Sequence, residues 1–205
     1  MPRVYLVAVA SAAVVGVAIG VVLHNVFAAP RAQARPALPA LYGQATWKSG
    51  EVRAPVFALR DQLGRRIRLD RFRGHTVVLA FMDSLCRSAC PLEARQLAAA
   101  VRPLPRTARP QLVIVSVDLA DSPKSIAAVA RKWHLPSGFE WLVGTHAELA
   151  PVWRAYKIFV KPVARDIVHS DAFYVIDRNG DERAGFVAPF LPGLLTHDLR
   201  RLAAG

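Results

Sequence analysis

The residues best placed to do chemistry are two cysteines. Cys86 and Cys90 are the only cysteines in the 205-residue chain, and both lie in the stretch DSLCRSACPLEARQL. Three residues separate them and Pro91 follows the second. Such a pair can close a disulfide, grip a metal ion or pack as two small hydrophobes. If the segment is turned, a spacing of four puts both sulfurs on one side. Cys90 stands at the entrance to a predicted helix, where partial positive charge and free N–H groups favour a thiolate. The spacing exceeds the C-x-x-C of common redox motifs, and the larger ring leaves room for an ion. Soft thiolates suit Cu(I), whereas zinc usually takes four ligands. The spacing alone does not choose between a disulfide and a metal.

A third ligand would have to come from elsewhere. Of the six histidines, His24 falls in an apolar run, His75 in a turn, His134 at a helix end, His146 at a helix start and His197 on the last helix. These five suit surface or capping roles. His169, in DIVHSDAFYVID, directly precedes a strand expected at the centre of the sheet and can reach the cysteine segment. Three acidic residues lie near the pair. Glu93 is expected to support the helix dipole or cap, Asp121 or Ser122 to cap the next helix, and Asp118 to lie at the site edge. Gly43, Gly50 and Gly64 are isolated, so no glycine-rich phosphate loop is present.

The elements that must position these residues can be read along the chain. APVFALRDQLGRRIRL reads as two strands about a turn at Gln62–Gly64. TVVLAF, from Thr76, is a short apolar run typical of a buried strand. Pro91–Val101 reads as a helix and Gln111–Val117 as a second buried strand. Ser122–His134 is a helix, Phe139–Val143 a short strand and Thr145–Tyr156 a helix. KIFVKPV, from Lys157, reads as a loop. Ala172–Ile176 and Glu182–Val187 form a hairpin about Asp177–Gly180, and Leu194–Leu202 is a final helix. The order β-α-β-α-(β)-α-β-β-α predicts an α/β, thioredoxin-like three-layer fold with a mixed central sheet. In that fold the cysteine segment lies at the carboxyl end of the sheet, where sites of open α/β proteins gather. Trp133, Trp141, Trp153 and Tyr156 fall at core positions.

Composition frames this domain. Val4–Leu23 is free of charge, and twenty helical residues span about 30 Å, enough to cross a bilayer core. The expected organisation is a transmembrane signal-anchor over 1–29, a flexible tether over 30–50 and a thioredoxin-like domain over 51–205. An A-x-A site at Ala32–Ala34 leaves cleavage as the alternative to an anchor. The domain is expected at the cell membrane on the extracytoplasmic side. The net charge is +12, but the arginines are scattered and no nucleic-acid motif appears, so nucleic acid is not an expected partner. Two cysteines are too few for a disulfide framework in a domain of this size.

TVVLAFMDSLCRSACPLEARQL followed by VHSDAFYVIDRNG resembles the Sco/SenC family of membrane-anchored copper chaperones. The resemblance runs from about Glu51 to Gly205, and the anchor matches as well. It implies a thioredoxin-like fold and a copper site made by Cys86, Cys90 and His169. It further implies a role at the CuA centre of cytochrome c oxidase, delivering copper or keeping that centre's cysteines reduced. The implied partners are copper, a cytochrome c oxidase subunit or another copper or thiol protein, and the membrane. The chain carries Asp83-Ser84 and Arg87-Ser88-Ala89 where the family usually has an aromatic-Thr pair and Pro-Asp-Val. A cation at Arg87 is expected to lower the thiol pKa. Two other functions fit the same cysteines: an exported thiol–disulfide oxidoreductase in which Cys86 attacks and Cys90 resolves, and a non-catalytic interaction module with a structural disulfide.

Overall fold

The structure, a computed structural model, describes residues 40–164 and 166–204. Its strands are β1 (Ala45–Thr46), β2 (Ala58–Asp61), β3 (Arg66–Arg68), β4 (Val77–Met82), β5 (Gln111–Ser116), β6 (Glu140–Val143), β7 (Val160–Val163), β8 (Asp166–His169), β9 (Ala172–Ile176) and β10 (Glu182–Val187). Its helices are α1 (Cys90–Val101), α2 (Pro123–Lys132), α3 (His146–Ala155) and α4 (Pro192–Ala204). Among the described residues, one sheet has the order β1-β10-β9-β4-β5-β6-β2-β3, and β7 and β8 pair separately.

Strand β4 organises the sheet. All six of its residues are buried, and they alternate between two cores as a pleated strand requires. Val78, Ala80 and Met82 face a cluster that holds Leu97 of α1, Ile126 of α2 and Leu195 and Leu199 of α4. Val77, Leu79 and Phe81 face Leu149 and Trp153 of α3. Helices therefore cover both faces of the sheet, which explains why β4 reads as a continuous apolar run. β4 runs parallel to β5 and antiparallel to β9. The sheet is mixed, as expected. Trp133, Trp141, Trp153 and Tyr156 are all buried.

Three features differ from expectation. The sheet begins before Glu51, inside the segment read as tether. Leu41 is buried, β1 pairs with β10, and the Tyr42 and Gly43 N–H groups donate to the Asp198 carboxylate. Gly43 allows this approach, because a Cβ there would lie 2.8 Å from that of Ala184. Such long-range docking leaves no local periodicity. Second, the KIFVKPV segment is no loop. It contributes β7, which pairs with β8 in the register Val160↔His169 and Val163↔Asp166. Pro162 and the short, exposed strands hide that hairpin from a pattern reading. Third, of the two residues expected to cap α2, Asp121 does not and Ser122 does, in a capping box with Ser125. No helix among the described residues is long and apolar enough to cross a membrane, and the span read at Val4–Leu23 lies outside those residues.

Candidate functional site

The pairing of β4 with β9 decides which loops meet. These strands are antiparallel, with Ala80 opposite Phe173, so the chain leaving β4 and the chain entering β9 share one end of the sheet. The first carries Cys86 and Cys90 and the second carries His169. Cys90 Sγ and His169 Nε2 are 3.8 Å apart.

Helix α1 starts without a side-chain cap, because its N-cap is Ala89. Instead Cys86 Sγ accepts the backbone N–H of Cys90 at 3.4 Å and lies 3.7 Å from Ser88 Oγ. The sulfur takes the place of a capping oxygen at the positive end of the helix. Both cysteines are free, Cys86 partly exposed and Cys90 fully buried. Their thiols titrate in opposite directions. The neighbouring Cys90 thiol, with the N–H groups of Cys90 and Ser88, brings Cys86 down to about 5. The neighbouring Cys86 sulfur, together with burial, pushes Cys90 far up. The helix end therefore favours a thiolate at Cys86, not at Cys90 as the sequence suggested. Arg87 is exposed and is not among the causes.

His169 is oriented from behind. Its Nδ1 lies 3.1 Å from the Ser170 carbonyl oxygen, which can only accept, so Nδ1 carries the proton. Its Nε2 then faces the Cys90 sulfur, and the side chain is only 4% exposed. Backbone support of this kind fixes the tautomer of a ligating histidine. Asp171 Oδ1 lies 3.6 Å from the same Nδ1.

Two acidic groups hold the cysteine loop. Asp83 is buried, accepts the Leu85 N–H through its carboxylate and the Cys86 N–H through its carbonyl. Burial raises its carboxyl to about 7, with Asp121, Asp118 and Cys86 adding to the rise. Asp121 accepts from the Ser84 N–H and hydroxyl, the Ser116 hydroxyl and the Trp141 indole. Burial raises its carboxyl, and these hydrogen bonds oppose the rise. Sequence reasoning missed this anchoring role for Asp121.

It also missed Glu93. That side chain is 1% exposed and neither oxygen has a hydrogen-bond partner, so it is not the cap that its first-turn position suggested. Burial, then the Asp171 carboxyl that faces it without hydrogen-bond geometry, raises Glu93 to about 9. The available signal was its place three residues after Cys90, on the same helix face. His146 packs edge-on to Trp153 and His197 to Tyr42.

Two thiols and an imidazole with a free lone pair suit a soft cation. Cys90 and His169 already face each other, while Cys86 Sγ is engaged at the helix start. Among the described residues no three such side chains converge tightly enough to hold a metal ion as they stand.

Residues 47–204 match the SCO1/SenC family. The chain belongs to that family. An SCO2-like protein of Rickettsia prowazekii is 28% identical to this SCO1/SenC chain over 133 residues, covering 60% of the chain and 64% of that relative. The match thus spans less than two thirds of the relative's length. ScoI of Bradyrhizobium japonicum, solved with copper bound, is 23% identical with a TM-score of 0.64, covering 74% of this chain and 99% of that one. BsSco, described as a member of the Sco family of cytochrome c oxidase assembly proteins with a disulfide switch, is 20% identical with a TM-score of 0.65. That match covers 78% of this chain and 98% of BsSco. At such identities the likeness is one of fold, and the fold is the mixed, thioredoxin-like α/β one that the sequence predicted.

Proposed function

We propose that this SCO1/SenC chain is a membrane-anchored copper chaperone that serves assembly of the CuA centre of cytochrome c oxidase, with Cys86, Cys90 and His169 as the copper ligands. One observation carries the proposal. His169, remote in sequence, presents its Nε2 to Cys90 with its Nδ1 fixed by a carbonyl. A structural disulfide would need no such histidine.

Copper is the cargo. The Cys86 thiolate is accessible and meets the incoming ion first. Cys90 then loses its proton and His169 supplies the third donor, giving two soft sulfurs and one imidazole, a set suited to Cu(I). Cys86 leaves its position at the helix start to turn towards the ion. The uncharged stretch Val4–Leu23 supports a single anchor, with the folded domain on the extracytoplasmic side beside its partner, a cytochrome c oxidase subunit or another copper or thiol protein.

A thiol–disulfide exchange role is the second reading, favoured by the low pKa of Cys86 beside a protonated Cys90. The Cys86 thiolate would attack a partner disulfide and release one partner thiolate. Cys90, losing its proton, would then attack Cys86 in the mixed disulfide. The partner leaves with two thiols and this chain with a Cys86–Cys90 disulfide.

The two roles separate on His169. The full chain, purified in detergent and reduced, is expected to retain one copper per chain after desalting against a competing chelator. His169→Ala is expected to lose it while keeping both thiols reactive. Equal copper retention by wild type and variant would overturn the ligand assignment.

A further inference from the structure

The end of the sheet that holds Cys86 also carries a groove of about 370 Å³. Strands β4 and β5 run parallel, so the loops that leave them meet there. The first loop brings Asp83 and Leu85, next to Cys86, and the second brings Val117, Asp118 and Leu119. The β7–β8 hairpin forms a further wall. Residues directly opposite in an antiparallel pair share a face, so the pairs Val160–His169 and Pro162–Ile167 lie on one side of this ribbon. That side is the covered one. Ile167 and His169 are half-buried, whereas Asp166 and Val168, which alternate with them, are exposed. Val160, Pro162 and Ile167 line the groove, and His169 on the same face meets Cys90. The hairpin face that places the histidine is therefore also a wall of the groove.

The groove combines apolar surface with negative charge. Leu85, Leu119 and Val163 line it and are 50%, 54% and 44% exposed. Large apolar side chains gathered in water around one groove mark a surface made to be covered. Asp83, Asp118 and Asp166 line the same groove, and among the described residues no lysine or arginine does. Neither Asp118 nor Asp166 is in an ion pair among the described residues. In a chain of net charge +12 this is a local reversal of sign. Carboxylates repel an anionic bilayer or a nucleic acid and attract a basic polypeptide.

We propose that this groove docks the partner protein, taking an extended segment in which apolar side chains alternate with lysine or arginine, beside the cysteine that meets Cys86. The inference rests on the function proposed above, in its copper and its thiol reading alike, and deepens it by naming how the partner is recognised. The segment's apolar side chains cover Leu85, Leu119 and Val163, and its basic ones pair with Asp118 and Asp166. It also packs on the hairpin face that carries His169, so docking steadies the imidazole as the partner's sulfur approaches.

The test uses the full, reduced chain in uncharged detergent and three synthetic peptides, LKLKC, LELEC and SGSGC. Each carries its cysteine as a mixed disulfide with thionitrobenzoate. The Cys86 thiolate attacks the peptide sulfur, a Cys86–peptide disulfide forms, and thionitrobenzoate leaves as a coloured thiolate whose absorbance gives the rate. SGSGC reports the intrinsic reactivity of Cys86 in each protein, and the other rates are taken relative to it. Net charge alone predicts that LELEC reacts faster than LKLKC. The groove predicts the reverse, by about tenfold at low salt, with the difference shrinking at high salt. Asp118→Asn/Asp166→Asn is expected to abolish that preference, and Leu119→Ser/Val163→Ser to slow LKLKC by about threefold or more. Faster reaction of LELEC with wild type would overturn the proposal, as would a preference for LKLKC that survives Asp118→Asn/Asp166→Asn. A wild-type dimer that the same double variant dissociates would also overturn it, since a second copy would then be the occupant. Copper retention separates the two inferences. A wild type that holds copper but does not prefer LKLKC loses only the groove, whereas one that holds no copper loses the chaperone assignment whatever the peptides do.

Discussion

Cys90 Sγ and His169 Nε2 stand 3.8 Å apart across a sequence separation of 79 residues. The antiparallel pairing of β4 with β9 brings their loops to one end of the sheet, and the Ser170 carbonyl turns the imidazole lone pair towards the sulfur. The chemistry of the site follows from these two constraints, and each neighbouring group makes a measurable difference to it.

Cys86 should react as a thiolate well below the range of a free thiol, which titrates near about 8.5. Its pKa lies at about 5 because of the neighbouring Cys90 thiol and the N–H groups of Cys90 and Ser88. In the reduced, metal-free chain, iodoacetamide should label Cys86 at a rate that levels off above about pH 6, and Cys90 should stay unlabelled until the protein unfolds. Peptide mapping at a series of pH values checks this. Labelling of both cysteines, at rates still climbing through pH 8, would contradict it.

Glu93 should make stability depend on pH. Its folded-state value of about 9 lies above its unfolded value of 4.5, so folding favours the protonated form. The stability this group contributes is present below the unfolded value and is lost as the pH rises through the folded one. Glu93→Gln removes that dependence. The melting temperature of the variant relative to wild type should therefore rise between pH 5 and pH 8, by more than about 2–4 °C, the equivalent of about 1 kcal/mol in a chain of this size. A difference that does not change with pH would show that Glu93 is not a strained buried acid.

Asp121 should be structural in effect and local in consequence. Asp121→Ala leaves the Ser84 N–H and the Ser116 hydroxyl without their acceptor, while the Ser84 hydroxyl keeps Ser125 Oγ and the Trp141 indole keeps Ser116 Oγ. Urea unfolding should register a loss of about 2–4 kcal/mol. Freed from its anchor at Ser84, the loop should also label faster at Cys86. Wild-type stability in the variant would mean that other acceptors serve these donors.

Much of this was legible in the sequence, for physical reasons. Buried strands such as TVVLAF announce themselves because both faces are covered, and capping residues such as Ser122 announce a helix because the free N–H groups need acceptors. The cysteine pair and His169 could be picked out because few other residues can bind a soft ion. The rest depended on tertiary contact. β1 and the β7–β8 hairpin are short and partly exposed, so neither has enough alternation to stand out. Which cysteine becomes the thiolate depends on which sulfur accepts the Cys90 N–H, and helix position alone pointed to the wrong one. Glu93 looked like a cap because a first-turn acid usually is one, and Asp121 because it adjoins a helix start. Burial without a partner at Glu93, and four donors gathered on Asp121, exist only in three dimensions.

The central claim is that two sulfurs and one imidazole hold the cargo. X-ray absorption spectroscopy of the full chain loaded anaerobically with one equivalent of Cu(I) tests it most directly. Two sulfur neighbours and one nitrogen neighbour, with the outer-shell scattering of an imidazole ring that disappears in His169→Ala, is the predicted result. A sulfur-only environment, or a spectrum that His169→Ala leaves unchanged, would contradict it.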